Sequence, residues 1–442
     1  MTINSHVIKS TVVGALGGFL FGFDTAVISG TTHSLTVTYH LSPALLGVTV
    51  SSALWGTVLA AITAGFPGQW FGRRASLRVM AALYVVSAIG CGLAWSWPAL
   101  IAFRVIGGLG IGGSSVLGPM YIAEIAPPEW RGRLVGFFQV NIVVGILIAY
   151  VSNFIIGTLH LGLAEWRWQL GVSGIPAAIF LITLFFIPRS PRWLATQSKL
   201  DEALDVLRLT GVKKPREELD EIVASIHLER SGSPDPLFSR RYRKPIILAV
   251  TVGMFCQLSG INAVLYYLNY IFSLAGASAI SGDLQAVAVG ATNLVATLIA
   301  MSVIDRFGRK KLLLVGTAGL TFCLGMISAL FLLRTHMQWL VWLLMGYIAC
   351  FAISQGAVIW VYISEVFPTR VRSKGQSLGS SSHWVTNTII SAAFPLFATA
   401  SGAYPFIFFA AMMVVDFFLV LLYYPETSGI SLEQMQHRLG ID

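Results

Sequence analysis

The sequence predicts an all-α membrane protein with 12 transmembrane helices in two pseudo-symmetric six-helix bundles, joined by short cytoplasmic helices. Three observations carry that prediction. Apolar runs of about 20 residues, the length that crosses a hydrocarbon core, recur along most of the chain. Charged residues fill only 11% of its 442 positions and hydrophobic ones 55%, whereas a soluble domain carries about 25% charged residues. The cations are placed asymmetrically as well: of 29 Lys and Arg, only Arg104, Arg167 and Arg334 fall inside the spans or in the loops on one side. The others gather at both ends and in alternate loops, a positive-inside pattern that puts both termini in the cytoplasm. Topology thus explains the net charge of +9, and no nucleic-acid partner is expected.

The first span, about 8–30, is rich in glycine at Gly14, Gly17, Gly18 and Gly22, small residues that let helices approach closely in lipid. It contains Asp24. A carboxylate at such depth costs about 2.5–3.5 kcal/mol on insertion scales, so it is expected to be protonated, paired or facing a wet cavity. Phe21, three residues earlier, shares its face. The run lacks a small-residue cleavage site and is read as a retained helix. The second span (about 44–66) leads through the basic loop Gly68-Gln-Trp-Phe-Gly-Arg-Arg74 into the third (about 77–95). The fourth (about 99–122) holds Arg104 and then glycines at 107, 108, 110, 112 and 113. No strand precedes those glycines, so they are read as helix packing and not as a phosphate loop. Arg104 is either the partner of Asp24, since opposite charges within one bundle tend to pair, or a cation snorkelling to the interface.

The fifth span (about 134–157) carries Gln139 and Asn141, and the sixth (about 168–187) ends at Pro188-Arg-Ser-Pro-Arg-Trp193. Between 189 and 244 lies the long polar stretch. Leu200, Ala203, Leu204 and Leu207 repeat there at helical spacing, as do Leu219, Ile222, Val223 and Ile226, which predicts short amphipathic helices against the cytoplasmic mouth. Spans at about 246–273, 284–304, 312–332, 339–364, 375–399 and 404–424 follow. Gly72-Arg-Arg returns as Gly308-Arg-Lys, Glu124 with Arg131 as Glu365 with Arg372, and Pro188 as Pro425, each about 240 residues on, the mark of a duplicated transporter. The division expected is an N-terminal bundle at 1–188, a linker at 189–244, a C-terminal bundle at 245–424 and a tail at 425–442. Cys91, Cys256, Cys323 and Cys350 sit in apolar runs at unrelated spacings, so neither a disulfide framework nor a metal site is indicated. Trp55, Trp70, Trp95, Trp97 and Trp339 near span ends read as an interfacial belt. Asp416, toward the cytoplasmic end of the last span, is expected to be protonated or snorkelling.

Six motifs in register then identify a resemblance. Gly-Phe-Asp-Thr-Ala-Val-Ile-Ser-Gly at 22, Phe-Gly-Arg-Arg at 71, Pro-Arg-Ser-Pro-Arg-Trp at 188, Gln-Leu-Ser-Gly-Ile-Asn at 257, Asp-Arg-Phe-Gly-Arg-Lys at 305 and Pro-Glu-Thr at 425 closely resemble the sugar porters of the major facilitator superfamily. The likeness covers nearly the whole chain and extends to bacterial proton-coupled hexose and xylose symporters and to the related glucose facilitators.

A sugar offers a ring of hydroxyls around an apolar C–H face, so its site needs amides and aromatic surfaces. The resemblance implies sugar contacts at Phe21, Gln139, Gln257, Asn262, Tyr267, Asn293, Phe351, Trp360 and Trp384. His383 joins them as a candidate at a position where relatives carry an amide. The plain alternative for each amide is a hydrogen bond across the bundle. In a straight helix Gln257 and Asn262 would point about 140° apart, so Ser259-Gly260 must bend or unwind the seventh span if both face one site. Against the family pattern, Cys256 replaces a second glutamine, Ala357 a proline that would loosen the tenth span, and Arg189 a glutamate at the cytoplasmic mouth.

The resemblance also implies a role for charge. Proton-coupled members carry an acid at the position of Asp24 and an arginine at that of Arg104, and passive facilitators a neutral residue in place of the acid. The reading is therefore a secondary transporter importing a monosaccharide, a hexose such as glucose or a pentose, by proton symport. Arg73, Arg74, Glu124, Arg131, Arg309, Lys310, Glu365 and Arg372 would form the cytoplasmic gate. A proton-independent facilitator is the nearest rival and a sugar-sensing receptor a more distant one. No nucleophile, base and orienting group occur together, so no enzyme activity and no cofactor are expected. The lipid bilayer, a monosaccharide and a proton are the expected partners of a monomer in a bacterial inner membrane.

Overall fold

The computed structural model describes residues 4–127, 129–231, 236–368, 371–428, 430 and 432–441. Among them the regular structure is helical, and every predicted span is present. The first five are α1 (Ser5–Tyr39) and α2 (Pro43–Thr63), then, after the short α3 (Gly65–Trp70), α4 (Arg73–Gly92), α5 (Trp97–Ile125) and α6 (Arg131–Thr158). The sixth is interrupted, as α7 (Glu165–Gly171) and α8 (Gly174–Thr183). The polar stretch folds as α9 (Pro191–Thr196), α10 (Leu200–Leu209) and α11 (Pro215–Ser231). The seventh span is broken twice, into α12 (Arg243–Leu258), α13 (Ile261–Tyr266) and α14 (Leu268–Leu274). After α15 (Ala279–Phe307) and α16 (Arg309–Leu333), the tenth is split into α17 (Leu340–Ile353) and α18 (Gln355–Val366). Next come α19 (Arg372–Ala400), α20 (Tyr404–Tyr423) and the tail helix α21 (Leu432–Leu439). Ten of the spans are long and apolar enough to cross a membrane by composition alone. The sixth falls short because it is interrupted, and the eleventh because Ser, His, Asn and Thr lower its hydropathy.

Local chemistry sets the ends. Ser96 Oγ accepts the Ala99 N–H at 3.4 Å, opening α5, and Ser190 Oγ accepts the Trp193 N–H at 3.1 Å, opening α9. Gly72 (φ 86°, ψ 157°) and Gly308 (φ 84°, ψ 151°) turn the chain into α4 and α16 in the same conformation. A side chain there would be strained, so the recurring Gly-Arg motif is a repeated backbone turn.

The chain packs as two units. Unit 1 comprises Met1–Asp24, Ser52–Ile146 and Leu170–Ser233, and unit 2 comprises Thr25–Ser51, Leu147–Gln169 and Pro234–Asp442. α1, α2, α6 and α7 each contribute residues to both. In unit 1, Leu20, Leu77, Ile111, Tyr121 and Phe180 build a core from α1, α4, α5 and α8. The linker helices share a core of Leu194, Ala203, Leu207, Leu219 and Ile226, as their spacing predicted, although Leu200 is exposed. In unit 2, Val252, Leu313, Val358, Tyr362 and Val420 form the main core, which Met435 and Leu439 of α21 join.

The glycines of α5 are packing surface. A Cβ on Gly108 or Gly112 would meet the α2 backbone, and one on Gly107 or Gly113 would meet Ser87 or Met80 of α4. On α1, a Cβ at Gly22 would run into the Ile142 carbonyl of α6. Gly22→Val must therefore push two helices apart beside Asp24, and overpacking costs about 1–3 kcal/mol even where side chains can yield. Detergent extraction is expected to recover little monodisperse protein, with a lowered thermal midpoint. A variant that melts with wild type would refute the close contact.

Candidate functional site

Asp24 on α1 and Arg104 on α5 form an ion pair within unit 1, Nη1 to Oδ1 at 3.8 Å. The two side chains differ in access: Arg104 is 3% exposed and Asp24 27%. The guanidinium is sealed in the bundle, while the carboxylate keeps one open side. Arg104 is thus turned inward, which removes the snorkelling alternative. At this separation the contact is an ion pair and not a short hydrogen bond. Phe21 and Gln139 lie half-buried in the same unit.

The amide and aromatic candidates meet in unit 2. α12 stops at Leu258, and Gly260 (φ 85°) redirects the chain into α13. The freed backbone is satisfied: Ser259 Oγ donates to the Cys256 carbonyl at 2.6 Å, and the Tyr347 hydroxyl donates to the Ser259 carbonyl at 2.8 Å. That break produces the bend the spacing required. Asn262 Nδ2 donates to Gln257 Oε1 at 3.1 Å, and Gln257 Nε2 lies 2.8 Å from His383 Nε2 on α19. The amide N–H can only donate, so the imidazole accepts from it. His383 packs between Trp360 and Trp384, at ring separations of 5.1 and 5.3 Å. Trp384 is buried, whereas Trp360 is 39% exposed, an open aromatic face beside a row of polar groups.

Tyr267 is fully buried, its hydroxyl donating to the Ser391 carbonyl at 2.8 Å and its ring stacked on Phe394. Asn387, whose Nδ2 donates to the Tyr266 hydroxyl at 3.2 Å, ties α19 to α13. Asn293 is buried in α15, and Phe351 is half-buried at the end of α17. Ala357 was expected to stiffen the tenth span, yet the helix breaks at Ser354 (φ −111°, ψ −96°), three residues earlier.

The repeated charge motifs form equivalent pairs. In unit 1, Arg73 Nη2 lies 2.9 Å from Glu124 Oε1, and its Nη1 donates to the Gly68 carbonyl at 2.6 Å. In unit 2, Arg309 Nη2 lies 3.1 Å from Glu365 Oε1. Glu426 caps α16 by accepting the backbone N–H of Arg309 at 2.8 Å and of Lys310 at 3.1 Å. Arg189 stands at the equivalent place in the first half and cannot accept. It reaches Glu202 at 3.6 Å instead, while Arg74 donates to the Ile187 carbonyl and Trp193 Nε1 to that of Gln69. Lys310 Nζ donates to the Leu421 carbonyl, Arg372 Nε to the Phe367 carbonyl, and Arg131 is exposed.

Two further polar clusters are buried in unit 2, of which the sequence marked only Asp416. Ser29 Oγ donates to Asn269 Oδ1 at 2.8 Å, and Asn269 Nδ2 donates to the buried carboxylate of Asp283. Asp283 falls just before the predicted start of the eighth span and lies in the first turns of α15. The second cluster belongs to Asp416, which does not snorkel: it is 3% exposed and accepts from Gln355 Nε2 at 2.7 Å.

Residues 10–439 match the family described as Sugar (and other) transporter. The chain belongs to this sugar transporter family. It is 36% identical over 437 residues to the arabinose-proton symporter of Bacillus subtilis (strain 168), covering 97% of this chain and 94% of that protein. It is 35% identical to the D-xylose-proton symporter of Escherichia coli (strain K12), covering 98% and 96%. Among solved structures, the partially occluded inward-open xylose transporter XylE of E. coli superposes with a TM-score of 0.87 at 32% identity, over 97% of this chain and 100% of that one. The twelve-span major facilitator fold is thus the fold of this chain.

Proposed function

We propose that the chain imports a monosaccharide with a proton by alternating access, and that Asp24 carries the proton. The observation that carries this reading is the half-open carboxylate of Asp24 against the sealed cation of Arg104. Among its relatives are proton symporters for arabinose, xylose and galactose, and a glucose transport protein. At about 4 Å and an effective dielectric near 20, the direct attraction of such a pair is about 4 kcal/mol before desolvation is counted. Protonation of Asp24 removes that attraction and frees α1 and α5 to rearrange over bound sugar. Release of the proton on the other side restores the pair.

The sugar is held by Gln257, Asn262 and His383 through its hydroxyls, with Trp360 against its C–H face and Trp384 behind. Phe21, Gln139, Tyr267, Asn293 and Phe351 are the other sugar contacts of this reading. Residues 1–188 and 245–424 act as the moving halves, joined by 189–244. Arg73, Arg74, Glu124, Arg131, Arg309, Lys310, Glu365 and Arg372 close the cytoplasmic end, with both termini on that side of a bacterial inner membrane and the transporter a monomer. Within unit 2 the part of α1 beyond Asp24 is held to α14 by Ser29 and Asn269, and Tyr150 of α6 donates to the Leu265 carbonyl at 2.9 Å.

The test is uptake of radiolabelled pentoses and hexoses into proteoliposomes, with and without an imposed proton gradient. Gradient-dependent accumulation of at least one monosaccharide is expected. Equilibration that ignores the gradient would make the chain a facilitator, and no uptake of any sugar would overturn the reading.

A further inference from the structure

The twelfth span of a bundle can lie against lipid, yet here its carboxylate is aimed inward at a break in another helix. Asp416 and Gln355 are each 3% exposed. Gln355 is the first residue of α18, immediately after Ser354, where the tenth span loses its regular backbone ladder. Ser354 makes two local bonds, its N–H to the Phe351 carbonyl at 3.1 Å and its Oγ to the Cys350 carbonyl at 2.6 Å. The side chain of Gln355 reaches across to α20, where its Nε2 donates to Asp416 Oδ2 at 2.7 Å and lies 3.6 Å from Met413 Sδ. Its Oε1 has no hydrogen-bond partner among the described residues. Both side chains line a small cavity with Cys256, the neighbour of Gln257.

The pair sits where it can govern two aromatic side chains at once. Gly356, next to Gln355, packs under the ring of Phe351, which a Cβ there would meet at 3.0 Å. Five residues past Gln355, on α18, is Trp360, the exposed ring beside His383. Rotation of α18 at the break therefore moves Phe351 and Trp360 relative to one another. A buried carboxylate is costly unless it is satisfied, so the bond to Gln355 holds the break in one setting.

We propose that Asp416 is a positioning residue for the sugar site: by anchoring Gln355 to α20 it sets the break in the tenth span, and with it Phe351 and Trp360. This rests on the sugar-transport reading above. The experiment compares wild type, Asp416→Asn, Asp416→Leu, and the double variant Gln355→Leu with Asp416→Leu. Each is purified as the full chain, and sugar affinity and thermal midpoint are measured with the monosaccharide that wild type transports best. Asp416→Asn keeps an acceptor for Gln355 and is expected to bind within about twofold of wild type, whereas Asp416→Leu should weaken binding at least about fivefold. The double variant replaces the polar pair by an apolar one and is expected to regain the thermal midpoint without regaining affinity. A double variant that regains both would reduce the pair to a stabilising contact and overturn the proposal. So would an Asp416→Leu variant that binds like wild type, or an Asp416→Asn variant that binds normally but no longer accumulates sugar, since Asp416 would then carry a proton. A wild type that binds no sugar in the panel would overturn the transport reading, and this proposal with it.

Discussion

Asp24→Asn is expected to abolish uphill accumulation while leaving exchange of labelled for unlabelled sugar within a few-fold of wild type. The amide keeps the size and hydrogen-bonding capacity of the protonated acid but can neither release a proton nor attract Arg104. A potential of about 100 mV supplies about 2.3 kcal/mol for each charge that crosses, enough for about 50-fold accumulation. In the variant that ratio should fall to about one. Counterflow in proteoliposomes without a gradient, measured beside gradient-driven uptake, separates the two quantities. Undiminished accumulation would exclude Asp24 as the proton carrier, and loss of exchange together with accumulation would instead place it in sugar binding or in folding.

The second large effect is expected at Gln257, which bonds to both Asn262 and His383. Gln257→Ala removes the amide at the centre of the polar row and leaves both neighbours unpaired. Two hydrogen bonds to a sugar at about 0.5–1.5 kcal/mol each correspond to an increase of about 5- to 150-fold in the sugar concentration for half-maximal uptake. His383→Gln, which restores an amide at the neighbouring position, should change that concentration far less. If Gln257→Ala transports with unaltered concentration dependence, the residue is a bundle contact only.

Span position was legible because hydrophobic length is a local property of the chain. The starts of α5 and α20 lie within a few residues of the predicted ones. The bend at Gly260 was legible too, since two polar residues at a spacing unsuited to one helix face flanked a Ser-Gly pair. The break at Ser354 was not. No glycine or proline marks that residue, and the side chain that holds the turn, Gln355, finds its partner 61 positions away. The same limit hid Asn269 and Asp283, whose bond joins α14 to α15.

From its residues alone the chain could be read as a duplicated twelve-span membrane protein with two buried charges of opposite sign and a row of amides and aromatics. Length, hydropathy and motif order are properties of consecutive residues, so they need no fold to be seen. The fold alone decided that Arg104 is sealed while Asp24 keeps an open side, and that Gln257, Asn262 and His383 form one hydrogen-bonded row. It also turned Asp416 inward. These are pairings across helices, where the cost of an unsatisfied polar group in an apolar interior selects one partner among many that the sequence permits.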